Sequence, residues 1–298
     1  MHRIKKSRSV YSKILSLAVA LTLLSELTGC GNRTVSSVSD SDREDITVNT
    51  VTEFDGENFI VGFDAKFPPY GYLDDNGEYT GLDLDLAEEV CSRNGWKLTK
   101  QPIDWDLKDQ ELSSGAVTCV WNGFTMTDRE EEYTWTEPYM DSSIVVVVSK
   151  DSNIYSLADL TGKNVTTQTE SSGLRALTGE AAEQRNLDLA AGFAQLMQTA
   201  DYNAAFEDLE SGKADAVVVD IGAAYAQIEA RGDVFRILDE KIAAEQYAVG
   251  FLKGNDKLCQ IVQDTLFDMY EDGSFMKIVN RYSDWGITQE MVCLGGRE

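Results

Sequence analysis

The chain has 298 residues, 26 basic against 51 acidic side chains, a formal charge of −25, five cysteines, four prolines and a single histidine, His2. That much negative charge is repelled by nucleic-acid phosphates and by anionic lipid headgroups, so no nucleic-acid partner is expected. An apolar fraction of 43% supports a real core, and the length fits two modest domains or one large one.

In chain order, residues 1–29 read as a signal peptide outside the fold. Arg3, Lys5, Lys6, Arg8 and Lys13 make a basic start, Ile14 to Leu24 is an apolar run, and Leu27-Thr28-Gly29-Cys30 closes it, the order of a secretory signal. The run is too short to cross a membrane stably as a mature helix. A cysteine directly after Leu-Thr-Gly resembles the lipobox of bacterial lipoproteins. That resemblance implies that Cys30 is acylated, becomes the first mature residue and holds the protein at the cell membrane by its lipid. Cleavage there removes five basic residues and one acid, leaving 21 against 50, a formal charge of −29. It also removes His2. A chain without histidine cannot run Ser-His-Asp or Cys-His chemistry and lacks the commonest transition-metal ligand. Cys91, Cys119, Cys259 and Cys293 form no C-x-x-C pair, so neither a metal site nor a cofactor is expected. Export permits two disulfides; the apolar surroundings of these cysteines suit buried free thiols equally well.

Residues 30–58, rich in Ser, Thr, Asp and Asn, read as a lipidated flexible tether. The fold starts with a short apolar strand at Phe59 to Asp64, then a loop with Pro68-Pro69. Asn76-Gly77 between alternating residues signals a hairpin. Leu84, Ala87, Val90 and Cys91 have helical spacing before Gly95. Strands are expected at Trp96 to Ile103 and Val117 to Trp121, with a short helix at Leu107 to Ser114 between them. Ser143 to Val148 is a β-branched, buried strand. Further strands are expected at Lys163 to Thr167, Leu189 to Phe193, Ala214 to Val219, Phe235 to Leu238 and, as a second long strand, Gln246 to Leu252. Helices are expected to start at Ser171 and to span Ala200 to Leu209, Gly222 to Ala230, Leu258 to Tyr270 and Phe275 to Tyr282. Strands alternating with helices indicate an α/β fold with mainly parallel sheets.

Several segments in this order resemble the amino-acid-binding proteins of ABC importers, solute-binding family 3. They are Gly62-Phe63-Asp64-Ala65-Lys66-Phe67-Pro68-Pro69-Tyr70, Thr80-Gly81-Leu82-Asp83-Leu84-Asp85, Asn122-Gly123-Phe124-Thr125-Met126-Thr127-Asp128-Arg129, Thr136-Glu137-Pro138-Tyr139, Leu157 to Lys163, and Gly212-Lys213-Ala214-Asp215 to Asp220. The resemblance implies a type II periplasmic-binding-protein-like fold: two α/β lobes joined by two crossing strands, the first at Ile144 to Val148 and the second at Gln246 to Leu252. Lobe 1 would comprise 59–143 plus 249–298, and lobe 2 would comprise 144–248. It also implies extracytoplasmic capture of a polar L-amino acid by hinge closure, delivery to a membrane-embedded ABC permease, and a monomer.

Carried onto this sequence, the resemblance gives Arg129 to the ligand carboxylate, with backbone donors at Thr125 and at Ser171-Ser172. Asp220 takes the ammonium, aided by the Gly123 carbonyl and the Thr125 hydroxyl. Asp64, Phe67, Trp105, Trp121, Asn122 and Gln168 would select the side chain. Read from the residues alone, Arg129 beside Glu130-Glu131-Glu132 fits a solvated ion-pair residue better than a ligand contact, Asp220 and Ser171 could each be only a helix cap, and Trp121 could be core. Thr127-Asp128-Arg129 is one residue shorter than the usual family spacing, which bears on where Arg129 is aimed. The same fold also carries exported enzymes such as dehydratases, for which Asp64 or Glu170 would have to act as acid or base, and receptor sensor domains, for which the chain shows neither a transmembrane helix nor a signalling module before Glu298.

Overall fold

A computed structural model describes residues 54–232 and 234–295. The signal at 1–29, Cys30 and most of the tether lie outside the described residues. Two sheets organise the rest. In the first, strand Asn58–Phe63 lies between the parallel strands Lys97–Pro102 and Cys119–Val120; Gly250–Phe251 and Thr134–Trp135 extend it antiparallel. In the second, Gln195–Thr199, Asn164–Gln168 and Ala216–Asp220 are parallel, and the long strand Met140–Ser149 runs antiparallel beside Ala216–Asp220. Phe235–Ile237 and Ala243–Tyr247 pair with that long strand. The chain therefore passes between the sheets twice, between Trp135 and Met140 and between Tyr247 and Gly250. The hairpin signal at Asn76-Gly77 joins Gly71–Leu73 to Tyr79–Thr80.

The second sheet shows why β-branched runs make buried strands. Val145, Val147, Val217 and Val219 pack on one face with Phe206, while Ile144, Val146, Val148, Ala216 and Val218 pack on the other with Leu177 and Leu160. Both faces are apolar because helices cover both, and each such side chain removed from water contributes roughly 1.5–3 kcal/mol. Helix Leu82–Asn94 is ended by Gly95 in the left-handed conformation, φ 71°.

Three expectations need correction, and one open choice is decided. Leu189 to Phe193 is not a strand: the chain forms helix Gln184–Ala191, and the strand follows at Gln195–Thr199. Leu189, Ala190 and Phe193, spaced i, i+1 and i+4, pack together against the second sheet's core, a helical period that a short apolar run conceals. Gln246 to Leu252 is two strands in different sheets, interrupted at Ala248-Val249. The last helix is shorter, Ser274–Val279, and continues as 3₁₀ turns over Asn280–Trp285. No disulfide occurs among the described cysteines; Cys91, Cys119 and Cys259 are buried thiols and the Cys293 thiol donates to the Pro138 carbonyl.

Candidate functional site

The parallel strands of both sheets end toward one cavity. Asp64 follows the first strand, Trp121-Asn122-Gly123 follow Cys119–Val120, and Gln168 and Asp220 each end a strand of the second sheet. Open α/β sheets place ligands at the carboxyl ends of their strands. Its lining surrounds about 280 Å³ of space that is partly open to solvent. Of the residues anticipated from the sequence, Phe67, Trp105, Asn122, Gly123, Thr125, Arg129, Gln168, Ser171, Ser172 and Asp220 line it.

Arg129 is 2% exposed. The shortened motif brings it in because Asp128 adopts left-handed backbone, φ 64°, and the Arg129 N–H donates to the Met126 carbonyl at 2.8 Å, a tight reversal. Its Nη1 donates to the Thr125 carbonyl at 3.1 Å and its Nη2 to the Glu170 carbonyl at 3.2 Å. The guanidinium lies 5.5 Å over the Phe124 ring. Nε has no partner, and among the described residues no carboxylate forms an ion pair with Arg129. Burial and the nearby Arg175 lower its pKa. The surface ion-pair role beside the Glu130 run falls instead to Arg175, which grips Glu132 with two bonds of 2.8 and 3.1 Å.

Asp220 stands at the N-cap position of helix Ile221–Arg231, yet its side chain makes no cap bond. It is 3% exposed and accepts a hydrogen bond from the Tyr247 hydroxyl. Burial raises its pKa. Ser171, by contrast, does cap: its Oγ accepts from the Leu174 N–H at 3.1 Å. The Thr125 hydroxyl donates at 2.6 Å to Glu245. Gly123, at φ 52°, approaches Phe67 and Tyr70 so closely that a Cβ would sit 3.1 Å from each ring, and its N–H donates to the buried Asp83 carboxylate. Burial pushes Asp83 up to about 7.

Phe67 stacks on Tyr70 with centroids 5.4 Å apart and leans on Tyr202 at 5.8 Å. Trp105 meets Phe124 edge-on and its indole N–H donates to the Glu170 carbonyl at 3.3 Å. Two anticipated residues do not line the cavity. Trp121 is fully buried against Tyr139 in the first core, because the strand Cys119–Val120 directs it inward between covered faces. Asp64 lies behind Gln168, whose amide donates to it at 2.8 Å and to the Ala200 carbonyl at 3.1 Å. Burial raises the Asp64 carboxyl against the lowering effect of the Lys66 N–H. Among the described residues no cluster of His, Cys, Asp or Glu is arranged to hold a metal, and no helix is long and apolar enough to cross a membrane.

Two residues were missed. Tyr202 lines the cavity, but in sequence it is one apolar position of an amphipathic helix. Glu245 is 4% exposed beside Asp220; as an acid near Glu240 and Lys241 it reads as solvated, and only the alternation up to Tyr247 could have turned it inward.

Residues 59–284 match the bacterial extracellular solute-binding proteins, family 3. The L-cystine-binding protein TcyJ of Escherichia coli K12 is 26% identical over 233 residues, covering 77% of this chain and 84% of that protein. An ABC uptake transporter substrate-binding protein from Streptococcus pneumoniae, solved with bound histidine, superposes with a TM-score of 0.72 at 30% identity over 78% of this chain and 94% of that one. An ancestral amino-acid-binding protein, a precursor of cyclohexadienyl dehydratase, superposes with a TM-score of 0.67 at 27% identity over 76% of this chain and 95% of that one. These neighbours share the two-lobed, type II arrangement expected from the motifs.

Proposed function

The chain belongs to the bacterial extracellular solute-binding proteins, family 3, and from that premise we propose that it captures one free, polar L-amino acid outside the cytoplasm and hands it unchanged to a membrane-embedded ABC permease. The observation that carries this reading is a buried cation and a buried anion on one small cavity. Arg129 has a vacant Nε and, among the described residues, no carboxylate partner, and Asp220 is an acid that caps nothing. A zwitterion supplies the opposite charge to each, and a guanidinium grips a carboxylate with two parallel bonds. Neither charge is comfortable in a closed cavity without such a partner.

In this reading Phe67, Trp105 and Tyr202 stack on the ligand's apolar part, and Asn122 and Gln168 offer amides to a polar end, with Asp64 behind Gln168. An acid there opposes glutamate and aspartate and suits an amide or a cation. The lobes would close about the two passages between sheets; the first passage precedes Met140, so Ile144 to Val148 lies inside the second lobe and is not itself a crossing. The protein would act as a monomer held at the membrane through an acylated Cys30. Capture without turnover is favoured over dehydratase chemistry because the two acids considered for it are otherwise engaged. Asp64 accepts from Gln168, and the half-exposed Glu170 carboxylate lies 3.9 Å from Lys108.

Calorimetric titration with the proteinogenic L-amino acids and L-cystine, followed by chromatography of the recovered ligand, tests this. Saturable 1:1 binding with the ligand returned intact is expected. A chemically altered ligand, or no binding by any of them, would overturn it.

A further inference from the structure

The sequence supplies one acid for a ligand ammonium, and the structure supplies two. Glu245 lies on strand Ala243–Tyr247, where alternation buries it and Tyr247 while Ala244 and Gln246 face outward. Across the long strand Met140–Ser149, Asp220 pairs with Ile144 and Glu245 with Ser142, so the two acids converge from strands on either side of it. Both carboxyl groups are buried and reach one and the same hydroxyl, that of Tyr247. The Tyr247 hydroxyl lies between them, 2.5 Å from Asp220 Oδ1 and 3.4 Å from Glu245 Oε1, and is itself fixed by Ser142 at 2.8 Å. The Thr125 hydroxyl holds the other oxygen of Glu245.

Two carboxyl groups that converge on one hydroxyl out of water disfavour double ionisation, and a proton held by one of them relieves their repulsion. The groups facing the pair are the Arg129 guanidinium and the phenols of Tyr70, Tyr202 and Tyr247, with Asp83 behind Tyr70. Among the described residues no Lys or Arg forms an ion pair with either acid. Two ionised carboxylates side by side out of water, with no cation paired to either, repel each other directly, and sites of this kind keep one proton.

We propose that Glu245 and Asp220 form a two-carboxylate ammonium subsite that holds one proton when empty and releases it to solvent when the ligand's ammonium enters. This rests on the reading of the cavity as an amino-acid site. The step balances. The neutral Glu245 carboxyl loses its proton to water, the ammonium takes its place between two carboxylates, and the charge within the pair and its ligand is unchanged apart from that exported proton. Capture is therefore linked to pH. The empty site competes with the ligand through its proton, so affinity rises with pH, by up to about tenfold per unit, until the pair is ionised without ligand. Acid loosens the ligand.

Two measurements decide this. Infrared spectroscopy of the ligand-free protein at neutral pH reads the C=O stretch of a protonated carboxyl without any ligand. A band that shifts on deuteration and shrinks in Glu245→Gln is expected, and a spectrum without one sinks the proposal. Calorimetry at neutral pH in buffers of different ionisation enthalpy, using the tightest-binding amino acid of the panel above, counts protons. Release of close to one proton is expected in the wild type and close to none in Glu245→Gln. Among the described residues Asp83 and Asp64 are the other buried acids near the cavity whose pKa is raised, and release persisting in Glu245→Gln would assign the proton to one of them and overturn the proposal. Should the variant not fold, Asp83→Asn supplies the separation: the band and the released proton are expected to persist in it, and their loss would overturn the proposal. Failure of every amino acid to bind defeats the proposed function, whereas binding without proton release defeats only this step.

Discussion

The Glu170 carbonyl stands 3.2 Å from Nη2 of Arg129 and joins the two sides of the cavity. It reaches that place because Glu170 adopts left-handed backbone, φ 56°, a conformation unusual for a residue with a side chain. The same carbonyl also accepts from the Trp105 indole. One neutral oxygen thus orders the guanidinium and the aromatic wall together while leaving the charge of Arg129 unmatched.

Arg129→Ala should abolish ligand capture and leave the fold intact. Removing one partner of a buried charge pair costs roughly 2–5 kcal/mol, about a thirtyfold to several-thousandfold loss of affinity, against about 0–1 kcal/mol for a surface arginine. Arg129→Lys should rescue in part, keeping the charge and losing the fork. Ligand-free stability should hold or rise, since the burial that depresses the guanidinium is relieved. Titration calorimetry and urea melts on the same preparations read both. Wild-type affinity in a folded Arg129→Ala protein would remove Arg129 from the site.

Gly222→Ala should separate closure from folding. Gly222 lies in the first turn of helix Ile221–Arg231, and a methyl there would overlap the Tyr70 hydroxyl and come within 2.9 Å of its Cζ. Tyr70 belongs to the other side of the cavity and is fully buried. Alanine favours the helix by up to about 1 kcal/mol, while its methyl opposes approach of the two sides. Affinity should fall with chemical stability unchanged or raised. Unchanged affinity would mean that ligand capture does not require this contact.

Lys66 and Asp201 also meet between the two sides, at 2.7 Å. Asp201 has a second duty: its other oxygen caps helix Tyr202–Glu210 through the Ala204 N–H at 2.9 Å. Asp201→Ala should therefore cost about 1 kcal/mol of stability. Lys66→Ala, at a mostly exposed ammonium, should change stability by less than the error of a urea melt. Equal losses in the two variants would show that the ion pair, not the cap, is what matters.

The motifs make most of this cavity legible, and each exception has its own physical cause. Phe67, Asn122, Thr125, Arg129 and Asp220 follow strand ends whose apolar runs are plain in sequence. Glu245 faces Asp220 only because Ala243–Tyr247 and Ala216–Asp220 flank the same long strand, a register no local pattern encodes. Tyr202 is hidden among core positions of its helix. Asp64 reads as ligand-facing in sequence, but the Gln168 amide intervenes, a contact between segments 104 residues apart. The Leu189 error is the ordinary ambiguity of a short apolar run.

Asp83 should make the fold less stable as pH rises from about 4 to 7. Its carboxyl accepts from the Gly123 N–H and, at 2.8 Å, from the Tyr139 hydroxyl. Even so, complete burial dominates and pushes it up to about 7. In the unfolded chain it titrates near 3.9. Below that value both states are protonated and the contribution is fully present. Between the two values the folded state binds more protons than the unfolded one, so stability falls with pH and the contribution is lost by about pH 7. Asp220 and Glu245, also raised by burial, act in the same direction, while Asp272, held down at about 2 by Arg93, loses its contribution only in strong acid. Asp83→Asn keeps an acceptor for Gly123 and a group that can pair with Tyr139, and it cannot ionise. Urea melts across this range should show a shallower decline in Asp83→Asn than in the wild type, with the curves meeting at the acid end. Parallel curves would mean that Asp83 titrates alike in both states, and that Gly123 and Tyr139 offset its burial completely.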